Sequence, residues 1–186
     1  MSDLAVALLH YPVYNKHHQV VTTAFTNLDI HDIARTSRTY GLSRYYLVTP
    51  SEEQQALVQR IVTHWDTGWG ADYNPDRREA LSIIKTLPTL SDVIEEMRQT
   101  TPLPLKIIAS GAASRTGAVS FRTMRQMVQQ DKQQYLLLLG TGWGLSDEIF
   151  EKVDYILEPI QGIGDYNHLP VRSALAIMLD RLLGTY

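Results

Sequence analysis

Gly140, Gly142 and Gly144 surround Trp143 in the stretch "QQYLLLLGTGWGLSDEIF" (133–150), directly after a run of four leucines. Open α/β sheets bind ligands at the carboxyl ends of central strands, and glycines there let backbone approach a flat group that side chains would hold off. The pattern does not suit a dinucleotide. Leu145 stands where a third glycine belongs, and Ser146, Asp147 and Glu148 fill the cap and first turn of the next helix, where carboxylates oppose a pyrophosphate. The loop suits a ligand without phosphates, although by itself it is also compatible with a plain strand-to-helix turn. A second stretch, "YILEPIQGIGDYNHLPVRSALAI" (155–177), repeats the arrangement. A strand leaves Pro159 into Gly162 and Gly164, followed by Asn167, His168 and a helix opened by Pro170. "ASGAAS" (109–114) adds a third small-residue loop, so three consecutive strand ends carry residues able to surround a ligand by backbone contact.

Charged residues give weaker signals. Glu158 lies in an otherwise apolar strand just before a pocket loop, and a buried carboxylate needs a partner such as Arg35 or Arg172, as a structural ion pair or as part of a site. Arginines come in small groups, namely Arg35, Arg38 and Arg44, then Arg77 and Arg78, then Arg122 and Arg125. The segment "DTGWGADYNPDRREA" (66–80) has no periodicity and reads as an irregular insertion. With Trp65, it combines Trp69, Tyr73, Arg77 and Arg78, a mixture able to stack an unpaired base and hold phosphate, or simply a packed excursion. His17 and His18 are adjacent and cannot share a helix face as a metal pair would. A solvated loop suits them, and with Asn15 and Lys16 they are candidates to help hold RNA.

These residues sit in 186 positions, enough for one domain with a full core. At 44% apolar and 20% charged, the composition is that of a globular protein, and no apolar run approaches the ~20 residues of a membrane span. Met1 to Leu9 contains Asp3 in place of a basic region and reads as a first strand, not a signal peptide, which predicts a cytoplasmic product. The absence of cysteine removes disulfides, thiolate catalysis and zinc-thiolate sites, and no metal is expected. A net charge of -3 confines any RNA surface to a local basic patch.

Apolar runs at 4–10, 44–50, 104–110, "YLLLLG" and 154–160 predict strands. Segments 29–41, 51–65, 90–99, 120–130, 146–153 and 170–184 predict helices, as does "REALSIIKTL". The alternation predicts an α/β domain with a mainly parallel sheet. "TGWG" occurs at 67–70 and 141–144, but the flanks do not match, so the repetition is not an internal duplication. The closing helix is apolar almost all round, which predicts burial in the domain or, better for a chain this small, against a second subunit.

Taken together, "LDIHDIARTSRTYGLSRYYLVTP", "LLLGTGWGLSDEI" and "ILEPIQGIGDYNHLPVRSALAI" resemble, in order and spacing, the three motifs of the SPOUT class of S-adenosylmethionine-dependent RNA methyltransferases. Within it the chain looks most like a small bacterial family of such enzymes. The resemblance implies a homodimer with a C-terminal trefoil knot, here over 136–184. It implies S-adenosylmethionine as cofactor and S-adenosylhomocysteine as product, with tRNA or rRNA as substrate. Carried over, the cofactor loops fall on Ala109, Ser110 and Gly111, on Leu139, Gly140, Thr141, Gly142, Trp143 and Gly144, and on Leu157, Pro159, Ile160 and Gly162. Asn167, His168, Leu169 and Val171 close the pocket. Arg35 matches the class arginine that faces the substrate, with Arg38, Arg77, Arg78 and Arg172 as further substrate contacts.

The chain departs from relatives at Asp29, where Asn is frequent, at His31, where Gly is frequent, and at Pro170, where ribose-methylating members carry Asn. The choice between a base nitrogen and a ribose hydroxyl is therefore open. A general base is expected for either acceptor, and the candidates are Asp29, Asp32, His31, Glu158 and His168. Asp29 stands at the start of a helix and is equally suited to capping it. Two other readings remain: a non-catalytic RNA-binding or cofactor-sensing module of the same fold and, more distantly, a nicotinamide-dependent oxidoreductase.

Overall fold

Leu and Val alternate with Ala along β1 (Asp3–Leu9), and the alternation assigns its two faces. Leu4, Val6 and Leu8 enter one core, and Ala5, Ala7 and Leu9 enter the other, as a strand covered on both sides requires. A computed structural model of the chain describes residues 3–67 and 69–185, so Gly68 of the first TGWG and residues 1, 2 and 186 lie outside it. After β1 come the short strands β2 (Val13–Tyr14) and β3 (Val20–Val21), then α1 (Asn27–Thr39), β4 (Tyr45–Val48) and α2 (Glu52–Asp66). α3 (Trp69–Tyr73), α4 (Pro75–Leu81), β5 (Ile84–Leu87), α5 (Leu90–Thr100) and β6 (Leu105–Ala109) follow. α6 (Phe121–Gln130), β7 (Gln134–Gly140), α7 (Asp147–Phe150), β8 (Tyr155–Ile156) and α8 (Val171–Leu183) complete the chain.

Six strands form one sheet in the order β5-β4-β1-β7-β6-β8, every pairing parallel. One face carries α1, α2, α4, α6 and α8 through residues such as Ile33, Val58, Leu81, Met124 and Leu179. The other carries α5 and α7 through Val93, Met97 and Ile149. Register decides where the site lies. Leu9 is level with Gly140, and Ala109 is level with both Leu138 and Ile156, so the loops after β1, β6, β7 and β8 leave the same edge side by side.

Several expectations change. "REALSIIKTL" is not one helix, because α4 ends at Leu81 and β5 pairs with β4 from Ile84, burying Ile83 and Ile84 against the sheet. A branched apolar pair at an edge is worth more in a ladder than in a helix. The supposedly irregular 66–80 is mostly two short helices, the second capped by Asn74 with Pro75 in its first turn. The predicted helix 146–153 shortens to α7, and the predicted strand 154–160 shortens to Tyr155–Ile156, followed by a single parallel bridge between Leu157 and Val119. His17 and His18 lie in the exposed turn expected of them, and the short strands β2 and β3 on either side pair as an antiparallel hairpin.

Candidate active site

The hairpin after β1 is laced to the glycine loop after β7. Tyr14 N–H donates to the Gly144 carbonyl at 2.9 Å, Trp143 N–H donates to the Tyr14 carbonyl at 2.8 Å, and Val13 bridges Leu145. Gly142 makes this approach possible. Its φ is +58°, and an added Cβ would stand 2.8 Å from the Tyr14 carbonyl oxygen. Thr141 donates its hydroxyl proton to the Leu9 carbonyl at 3.1 Å and lies 2.6 Å from the Thr23 hydroxyl, itself 2.8 Å from His10 Nδ1. Sequence reasoning missed His10, Tyr14 and Thr23. The apolar pairs of "YPVY" and "VV" around a polar turn were the available signal, too short to read as strands.

The two other walls are also cross-linked. Ser110 donates both its N–H (3.2 Å) and its hydroxyl (2.7 Å) to the Leu138 carbonyl. Asn167 donates its amide to the Ala112 carbonyl at 3.3 Å, tying the loop after β8 to the loop after β6. Leu157 is buried, and its N–H donates to the Ala109 carbonyl at 2.9 Å. Trp143, Ile163, Tyr166 and Leu169 stand exposed around this edge. At Gly111 and Gly144 an added Cβ would meet nothing within 4 Å, so the backbone there faces open space. At the rim, Asp147 pairs with Arg115 at 3.0 Å and is held below the usual carboxylate range by that hydrogen bond and then by the one from Tyr14.

The charged candidates separate. Asp29 is buried inside a capping box, its Oδ2 accepting from the Thr26 hydroxyl at 2.6 Å and the Thr26 N–H at 3.3 Å. Glu158 does not meet Arg35 or Arg172. Its Oε1 accepts from the Phe121 N–H at 2.6 Å, at the start of α6, because its strand runs beside that helix terminus. Arg172 pairs instead with Asp32 at 3.4 Å, Arg38 with Glu79 at 2.6 Å and Arg78 with Asp66 at 3.2 Å. Arg77 lies over the Trp65 ring at 4.7 Å. Arg35 is exposed on α1 and, among the described residues, its side chain makes no ion pair or hydrogen bond. It faces an open groove between α1 and α8 that Asp32, Tyr40 and Arg172 also line. His168 is exposed, with its ring edge on Tyr166. Burial, then the charge of Arg77, pushes the His31 imidazole below its ordinary pKa.

A family model described as SAM-dependent RNA methyltransferase matches residues 3–184. The chain belongs to this family. Relatives include a protein of Nitratidesulfovibrio vulgaris, 43% identical over 98% of the chain, and one of Oleidesulfovibrio alaskensis, 42% identical over 98%. Both are named tRNA (guanine-N(1)-)-methyltransferase. The chain spans 42% of the length of each, so their name describes longer proteins. An uncharacterized protein of Aquifex aeolicus is 38% identical over 97% of the chain and 88% of its own length. The fold is that of the SpoU methyltransferases. The structure of AviRb from Streptomyces viridochromogenes with AdoMet has a TM-score of 0.60 at 16% identity, covering 98% of this chain and 58% of that one. The Aquifex aeolicus TrmH/SpoU tRNA modifying enzyme has a TM-score of 0.58 at 18% identity, covering 98% and 75%.

Proposed function

We propose that the chain transfers the methyl group of S-adenosylmethionine to a nucleotide of a tRNA or rRNA. The observation that carries this reading is the convergence of the loops after β6, β7 and β8 on one sheet edge, presenting backbone and small residues in a family whose members use this cofactor. S-adenosylmethionine supplies an electrophilic methyl carbon on a sulfonium, so the protein's task is mainly to hold donor and acceptor in line. In this reading Ala109 to Gly111, Leu139 to Gly144, and Leu157, Pro159, Ile160 and Gly162 hold the cofactor, with Asn167 to Leu169 and Val171 closing over it. The tRNA names of the two longer relatives support tRNA as the substrate.

The same reading includes a trefoil knot over 136–184, a homodimer and a cytoplasmic location. The apolar face of α8, Leu175, Met178, Leu179 and Leu182, is buried in the chain's own core, and the open groove beside Arg35 is what supports a second copy at this face. There Arg35 of one subunit would address RNA at the partner's pocket. Asp29 and Glu158 serve the site indirectly, by holding the N-termini of α1 and α6.

Methyl transfer from labelled S-adenosylmethionine to bulk tRNA and to ribosomal RNA, with calorimetry for cofactor binding, tests the proposal. Arg35→Ala is expected to lower transfer about 100-fold, the scale of a misplaced acceptor, while leaving cofactor affinity unchanged. A wild-type protein that binds the cofactor but methylates neither RNA would be a non-catalytic module. The engagement of both Asp29 and Glu158 with helix termini favours that second reading.

A further inference from the structure

Trp69 and Tyr73 on α3 are 72% and 71% exposed, and their rings stack on each other with centroids 4.6 Å apart and planes 20° from parallel. The buried side of α3 is Gly70 and Ala71. Gly70 lets the helix lie flush on Trp65, because a Cβ there would stand 2.8 Å from the indole. Trp65 in turn carries the Arg77 guanidinium on its face and the His31 and His64 rings against it edge-on at 5.9 and 5.4 Å. It also lines a groove between α1 and α2 with Asn27, His31, Arg60 and His64. Asp66 and Glu79 are occupied by Arg78 and Arg38, whereas Arg35, Arg60 and Arg77 have no carboxylate partner among the described residues. Arg35, Arg60 and Arg77 lie on α1, α2 and α4.

We propose that α3 and the α1/α2 groove form a platform for an unpaired segment of RNA, with Trp69 and Tyr73 stacking bases and Arg60 and Arg77 taking phosphates. The inference rests on the reading that RNA is the substrate. Every base has a π-face, so a stacked aromatic pair offers sequence-tolerant contact, and uncommitted guanidinium groups beside it select a polyanion over an apolar protein surface. The platform also leads to the substrate arginine. His31 and Arg35 stand one turn apart on α1, and the His31 ring feels the charges of both Arg77 and Arg35. RNA lying on α3 would thus reach Arg35 along one continuous face, and the target nucleotide would enter the pocket from there.

The test is fluorescence anisotropy with a labelled short oligouridine and a short duplex RNA, paired with calorimetry of S-adenosylmethionine. Replacing both Trp69→Ala and Tyr73→Ala is expected to weaken oligouridine binding about tenfold, and Trp69→Phe with Tyr73→Phe to restore it to within about twofold. Arg60→Ala with Arg77→Ala is expected to reduce the slope of log affinity against log salt by about 1.4, the value for two lost single-strand phosphate contacts. Unchanged oligouridine affinity in the double alanine protein, or duplex bound as tightly as oligouridine, would overturn the platform. So would loss of self-association with RNA affinity intact, which would make this face a protein interface. Cofactor binding separates the two proposals: tight cofactor binding with no RNA affinity overturns the platform alone, while RNA affinity that depends on Trp69 and Tyr73 without cofactor binding overturns the methyltransferase reading alone.

Discussion

His10 follows β1 in surroundings that exclude a proton. It is 1% exposed, its ring packs edge-on against Phe25 at 4.1 Å, and Nε2 has no hydrogen-bond partner among the described residues. Burial lowers its pKa from 6.5 to about 4, against the smaller opposing pull of Asp29. The unfolded chain therefore binds a proton that the folded chain refuses between these values, and stability rises with pH across that window. The contribution is complete above pH 6.5 and is lost as the pH falls toward 4, a change of roughly 3 kcal/mol. Urea unfolding of the wild type and of His10→Asn across this range checks it, and the expected outcome is a loss in the wild type that the variant largely lacks. Because His10 reaches Thr141 through Thr23, protonation of the folded chain is expected to weaken cofactor binding as the pH falls through about 4. Asp29 and Glu158 show what residue type alone leaves undecided. A carboxylate suited to proton transfer is equally suited to a helix N-terminus, and backbone N–H groups claim both.

At the scale of elements, the glycine loop and the hairpin of β2 and β3 act as one unit. Gly142→Ala is therefore expected to cost about 1–3 kcal/mol, since it adds strain at positive φ and drives Cβ into the Tyr14 carbonyl. Urea denaturation alongside cofactor titration checks this, with both readouts expected to fall together. A change in cofactor affinity without loss of stability would mean that the hairpin can shift freely. Glu158→Gln is expected to lower stability by about 1 kcal/mol by weakening the N-terminus of α6, with transfer chemistry little changed. A large loss of transfer at unchanged stability would return Glu158 to the role of general base. β5 and the hairpin were hidden in the sequence for a related reason. Strands of two to four residues carry too little periodicity to read, and their pairing with β4 and with the loop after β7 defines them.

At the scale of the whole molecule, the proposed cofactor site joins three loops that are separate in the chain. S-adenosylmethionine at about 100 times its Kd is expected to add roughly 2.7 kcal/mol to unfolding, and NAD to add nothing. A thermal shift series with both ligands checks this. Sedimentation is expected to give the mass of two chains, and a monomer that still transfers methyl groups would remove the proposed partner contribution of Arg35. The amino-acid sequence by itself determined the α/β class, the longer helices α1, α2, α5, α6 and α8, and the three small-residue strand ends. Those signals are local: side-chain periodicity, capping residues and small residues act within a few positions. Tertiary structure alone decided the strand order that brings residues 109, 138 and 156 to one edge, the hairpin seated on Gly142, and which carboxylate each arginine meets. Those depend on contacts between residues far apart in the chain, which no local pattern encodes. Glu158 therefore met the N-terminus of α6, while Arg35 stayed uncommitted.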